Sequence, residues 1–175
     1  MDPGALAIAW HLHQHFNVVL VGSAAVAVQT QAKEIKPHDL DLEIIGADRN
    51  QLDLRCKRLS MNHHCLYDGL SFWRENQKLI DLIPKACKRS KNWEKNCEVR
   101  SISGHVLNVA TKAYLCDLYS SNYRGVEDNI KLRALGCKPP VAHEKPMSKL
   151  LGEVLEPSEY DSDADSLMPD AAGFQ

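Results

Sequence analysis

The apolar and polar positions along the chain divide it into short elements of two periods. Residues 5 to 16 read as a helix, and Val18 to Val21 form an unbroken apolar run that predicts a short, fully buried strand. Gly22 and Ser23 interrupt it. AAVAVQTQAKE then predicts a second helix, with its Ala and Val residues forming a close-packing face. After Pro37 the pattern changes to strict alternation, and HDLDLEII predicts a strand with Leu40, Leu42 and Ile44 on one face and Asp39, Asp41 and Glu43 on the other. GADRN is a loop in which Asp48 is placed to cap the helix predicted from Gln51 to Leu59. LYDGLSFWRE and KLIDLIP read as two strands joined around Glu75 and Asn76, the second ending at Pro84. A polar and basic connector follows to residue 97. VRSISGHVLNVA gives more strand with a turn at Gly104, and Thr111 to about Leu135 is helical, divided near Ser120 to Asn122 and stopped by GCKPP. Helices before, within and after the strands predict an α/β or α+β fold with a small mixed sheet.

At 175 residues the chain suits one domain with at most a small appended lobe, and its 44% apolar and 25% charged composition is that of a soluble globular protein. No apolar run approaches the roughly 18 residues of a membrane span, and AIAW followed by HLHQHF is no secretory signal. The expectation is an intracellular protein, cytoplasmic or nuclear, with no membrane partner. Six cysteines without a CxxC pair fit reduced thiols better than a disulfide framework or a zinc site.

Charge is unevenly spread. The formal net charge is -2, but residues 153 to 175 alone carry -7, leaving the body at +5. That segment is rich in Pro, Ser and Asp, so it predicts a disordered tail suited to solubilising the protein, meeting a basic partner or screening a basic cleft. The boundary falls between a folded unit over 1–138 and a Pro-containing linker with acidic tail over 139–175.

Candidate chemistry lies in three stretches. An acidic strand face has two readings, a solvated edge or a set of cation ligands, since like charges two residues apart repel unless a bound cation relieves them. VVLVGSAAVAVQT runs a strand into Gly22 and Ser23 at the head of a helix, where free backbone N–H groups and the positive dipole end seat a phosphate. In KLIDLIP, Asp81 sits among Leu79, Ile80, Leu82 and Ile83, and a carboxylate there needs either a Lys or Arg partner or a shared ion. If its strand lies beside that of Asp39 and Asp41, three hard oxygen donors converge, a set suited to Mg²⁺ or Mn²⁺ completed by substrate phosphates.

Gly22-Ser23 heading a helix, Asp39-x-Asp41 on the next strand and a single Asp81 on a later one resemble the nucleotidyltransferase superfamily of DNA polymerase beta-like fold. The spacing is most similar to the minimal branch containing AbiEii-type toxins and aminoglycoside nucleotidyltransferases. Downstream, VLNVATKAYLCDLYSSNYRGVEDNIKL resembles that branch's helical region, with Lys112, Arg124 and Asp128 at the corresponding positions. Several relatives carry Arg shortly before the paired aspartates, where this chain has Lys36 and His38. The resemblance covers roughly residues 17 to 135.

It implies transfer of a nucleoside monophosphate from a nucleoside triphosphate to a hydroxyl of a small molecule, RNA or protein. Asp39, Asp41 and Asp81 would be the catalytic and metal-binding carboxylates for Mg²⁺ or Mn²⁺, and Gly22, Ser23, Lys112 and Arg124 the nucleotide-binding residues. The alternative is a non-catalytic binding or regulatory module on the same fold. Other candidates read more simply: His63, His64 and Cys65 as bystanders, His11, His13 and His15 as pointing apart on a helix, Cys116, Trp73 and Trp93 as packing residues, and Lys85 to Lys95 as a solvated loop.

Overall fold

A computed structural model describes residues 1–85 and 93–140. The acidic tail and most of the basic connector lie outside the described residues. Helix α1, Pro3–His13, starts with Pro3 behind Asp2, whose carboxylate accepts the Ala5 N–H at 2.8 Å. β1, Asn17–Val21, leads directly into α2, Gly22–Thr30. Then come β2, Leu40–Ile45, and α3, Arg49–Asn62, which Asp48 caps through the Gln51 N–H at 2.9 Å. β3, Leu66–Tyr67, β4, Ser71–Arg74, and β5, Gln77–Lys85, follow. After a 3-10 turn, Trp93–Asn96, the chain forms β6, Cys97–Ile102, β7, His105–Ala110, α4, Lys112–Ser121, and α5, Val126–Leu135.

Seven strands form one sheet in the order β3-β4-β5-β2-β1-β7-β6. β1 runs antiparallel to β2 and parallel to β7, and β2 runs parallel to β5, so the sheet is mixed as the pattern predicted. The β2-β5 register matters most. Asp41 stands opposite Asp81, Glu43 opposite Ile83 and Ile45 opposite Lys85. Paired residues of neighbouring strands share a face, so Asp41 and Asp81 project to the same side while Leu40, Leu42, Ile80 and Leu82 fill the core behind them. α1 packs against β1, β5 and β7, and α2 against β1, β2, β7, α4 and α5. The small side chains of Ala24, Ala25 and Val26, all fully buried, let α2 lie close to its neighbours.

Three expectations are revised. The second helix stops at Thr30 rather than running on to Glu34: the Thr30 hydroxyl donates back to the Val26 carbonyl at 2.7 Å and accepts the Ala32 N–H, and Gln31 turns left-handed at φ 56°. LYDGLSFWRE is two strands, because Asp68 takes the N–H groups of Leu70 and Ser71 and the Trp73 indole, bending the chain at Gly69. The cysteines are not all reduced: Cys116 on α4 and Cys137 beyond α5 form a disulfide across 6.2 Å between Cα atoms. Neither stands in a sequence motif that marks a pair, and only the return of α5 alongside α4 brings them together.

Candidate active site

An open cavity of about 370 Å³ lies where β1, α2, β2 and β5 meet the α4-α5 pair. Gly22, Ser23, Asp39, Asp41 and Arg124 line it. The strand-to-helix junction explains one wall. Gly22 has a left-handed φ of 68°, and a Cβ there would overlap the Asp41 carboxylate, so this corner of the cavity has room only for glycine. α2 begins with no side-chain cap, which leaves its first N–H groups facing the same corner.

The acidic face of β2 divides into two chemistries. Glu43 is 5% exposed, accepts the Tyr114 hydroxyl at 3.0 Å and pairs with Lys85 at 3.4 Å. It is a satisfied anchor at the cavity floor. Asp41 has no such partner: burial first, then the charges of Asp39 and Asp81, push its carboxyl up to about 6, opposed by Lys131 and Lys78. A carboxylate held so far from its ordinary value is short of positive charge. Asp81 is better supplied, accepting the Ser71 hydroxyl at 2.7 Å and pairing with Lys78 at 3.3 Å. Its strand lies beside that of Asp41, yet its side chain does not line the cavity. Among the described residues no three His, Cys, Asp or Glu side chains stand close enough to cage an ion alone.

The opposite wall comes from α4, α5 and the turn between them. Asp128, 3% exposed, accepts the backbone N–H of Arg124 at 2.7 Å and pairs with Lys131 at 3.5 Å. The turn is therefore held through its backbone, and the Arg124 guanidinium takes no part in that bond. Lys112 starts α4 on the exposed side, near enough to Glu98 to act on its charge, and lies outside the cavity lining. The cation that lines the cavity from α5 is Lys131, whose ammonium also sits 4.9 Å from the centre of the Tyr119 ring. Sequence reading missed Lys131 and Tyr119, because both occupy ordinary helical positions and only their spacing of three and nine residues from Asp128 hinted at a shared surface. Trp73 and Trp93 lie elsewhere, the first bonded to Asp68 and the second packed on the core.

No protein-family model and no curated protein matches the sequence. Solved structures do resemble the fold. An antigenic nucleotidyltransferase-like protein from Paracoccidioides brasiliensis aligns over 77% of this chain and 74% of its own at 12% identity, with a TM-score of 0.48. The antibiotic-resistance factor ANT(2'')-Ia aligns over 77% of this chain and 84% of its own at 14% identity, with a TM-score of 0.53. The second likeness shows that the chain has a nucleotidyltransferase-like fold, in agreement with its mixed sheet and helical C-terminal pair. No helix among the described residues is long and apolar enough to cross a membrane.

Proposed function

We propose that this protein transfers a nucleoside monophosphate from a nucleoside triphosphate to a hydroxyl acceptor, with Mg²⁺ or Mn²⁺ as cofactor. The observation that carries the reading is Asp41: an under-compensated carboxyl beside Asp39 and in register with Asp81, lying over the Cβ-free Gly22 at an uncapped helix start. The donor set suits Mg²⁺, which takes one or two protein carboxylates and fills its remaining positions with water and phosphate oxygens. A pair of carboxylates without a full cage is what such an ion needs. Asp39 and Asp41 would hold it, and when bound it would neutralise charge on the triphosphate as pyrophosphate leaves.

The chain's own groups account for the rest. The first N–H groups of α2 and the Ser23 hydroxyl bind phosphate oxygens. Lys131 and Arg124 supply positive charge from the facing wall, a role the resemblance had given to Lys112 and Arg124. Asp81, whose side chain stands outside the cavity lining on Ser71 and Lys78, would take the proton of the acceptor hydroxyl only after turning from Lys78 into the cavity. The spacing of the motif favours the branch containing the aminoglycoside nucleotidyltransferases, and the acceptor is a small molecule, RNA or protein.

Calorimetry with ATP, CTP, GTP or UTP tests the reading. Binding is expected with Mg²⁺ or Mn²⁺ and is expected to vanish in Asp39→Asn/Asp41→Asn. No binding of any triphosphate at millimolar concentration with either ion would remove the proposal; binding without pyrophosphate release on addition of cell extract would leave only the non-catalytic module.

A further inference from the structure

Tyr119 is 9% exposed, lines the cavity, and its phenol oxygen is buried with no hydrogen-bond partner among the described residues. A buried hydroxyl left without a partner is costly, and native proteins keep few of them. Tyr119 shares the cavity lining with Asp41, Asp128 and Arg124, whose charges reach the phenol. Burial, and then the charges of Asp41 and Asp128, hold the phenol well above its usual range, which keeps it a protonated donor at any physiological pH. Lys131 lies over the face of the same ring at 4.9 Å. The orphan donor thus belongs to a ring that carries Lys131 on its face and lines the same cavity as Arg124, Gly22 and Asp41.

We propose that the Tyr119 hydroxyl is a nucleotide-binding group that donates a hydrogen bond to a phosphate oxygen of the bound triphosphate, with Lys131 braced on its ring to meet the same phosphate chain. The proposal rests on the nucleotidyl-transfer reading of the cavity and adds to it a residue that no motif marks. An anionic oxygen is the acceptor such a corner favours, because Lys131, held by Asp128 and by the Tyr119 ring, sets a positive charge beside the donor.

The test is Tyr119→Phe, which removes the hydroxyl and keeps the ring. Two readouts are expected to move in opposite directions. The unliganded variant should melt no lower than the wild type, and slightly higher, since an unpartnered buried hydroxyl has been removed. Its Kd for Mg²⁺-ATP should rise about tenfold, the loss expected for a hydrogen bond to a charged acceptor. The same loss is expected with dATP. A loss confined to ATP would mean that the hydroxyl reads the ribose, and would overturn the phosphate assignment. Unchanged affinity, or a lowered melting temperature in the unliganded protein, would overturn the role of Tyr119 while leaving the cavity's reading intact. If the wild type binds no triphosphate at all, the reading beneath the proposal fails and the proposal fails with it.

Discussion

At the scale of single residues, Asp41 and Glu43 of β2 and Asp39 just before it look alike in sequence and differ in what surrounds them. Glu43 has Tyr114 and Lys85, while Asp41 has two carboxylates for near neighbours and cations that only partly offset them. An acid whose folded pKa lies above its unfolded value lowers stability wherever it is ionised. Below about pH 4 both states are protonated and no penalty exists; it grows as pH rises toward about 6 and is constant above that. Asp41→Asn should therefore stabilise the protein at pH 7.5 by about 1 kcal/mol, allowing for the group's partial exposure to water. The gain should shrink to nothing near pH 4, and urea unfolding at a series of pH values reads it directly. A gain independent of pH would mean that something other than ionisation penalises Asp41. The alternation of HDLDLEII made the shared acidic face legible, but which acid is neutralised depends on Tyr114 and Lys85, 71 and 42 positions away, and no local pattern carries that.

At the scale of elements, starts were easier to read than ends. Asp48 and Gly22-Ser23 mark helix starts through short-range chemistry, an acceptor near free N–H groups and a glycine turn. The end of α2 was hidden because Gln31, Ala32 and Lys33 are acceptable helix residues, and only the hydroxyl of Thr30 diverts the chain. The α4-α5 pair was legible as two helices, whereas its cross-link was not, since Cys116 and Cys137 are 21 positions apart with no pairing signal between them. That disulfide encloses Tyr119, Arg124, Asp128 and Lys131, so it fixes the wall that faces the carboxylates. Closing a loop of this length is worth about 3 kcal/mol. Dithiothreitol should lower unfolding stability by about that amount in the wild type and leave a Cys116→Ser/Cys137→Ser variant unmoved. Equal behaviour of the two proteins in reductant and oxidant would show that the thiols are not joined in solution.

At the scale of the described fold, the order β5-β2-β1 makes one site from distant segments. The sequence contained Gly22, Asp39, Asp41 and Asp81 in the right order, and a resemblance could join them. Gly22, Asp39 and Asp41 line one cavity, while the parallel β2-β5 pairing sets Asp81 opposite Asp41 without a residue of offset but leaves its side chain outside the lining. A one-residue slip would send Asp81 to the Leu40 face and bury a charge in the core. The opposite wall arrives from α4 and α5, which pack on α2 and on each other. A ligand that bridges the two walls binds only the folded chain, so its binding free energy adds to folding stability. Mg²⁺ with ATP at 100 times its Kd should contribute about 2.7 kcal/mol, a rise of roughly 8 °C in melting temperature for a unit of this size. Neither ATP with EDTA nor Mg²⁺ alone should reproduce it, and Asp39→Asn should abolish it if, as proposed, that carboxylate helps to hold the ion. Lys112→Ala should melt and shift like the wild type, since its side chain lies outside the cavity, whereas Lys131→Ala should lose most of the shift. The reverse order of those two variants would mean that the triphosphate runs toward the start of α4 instead of along α5.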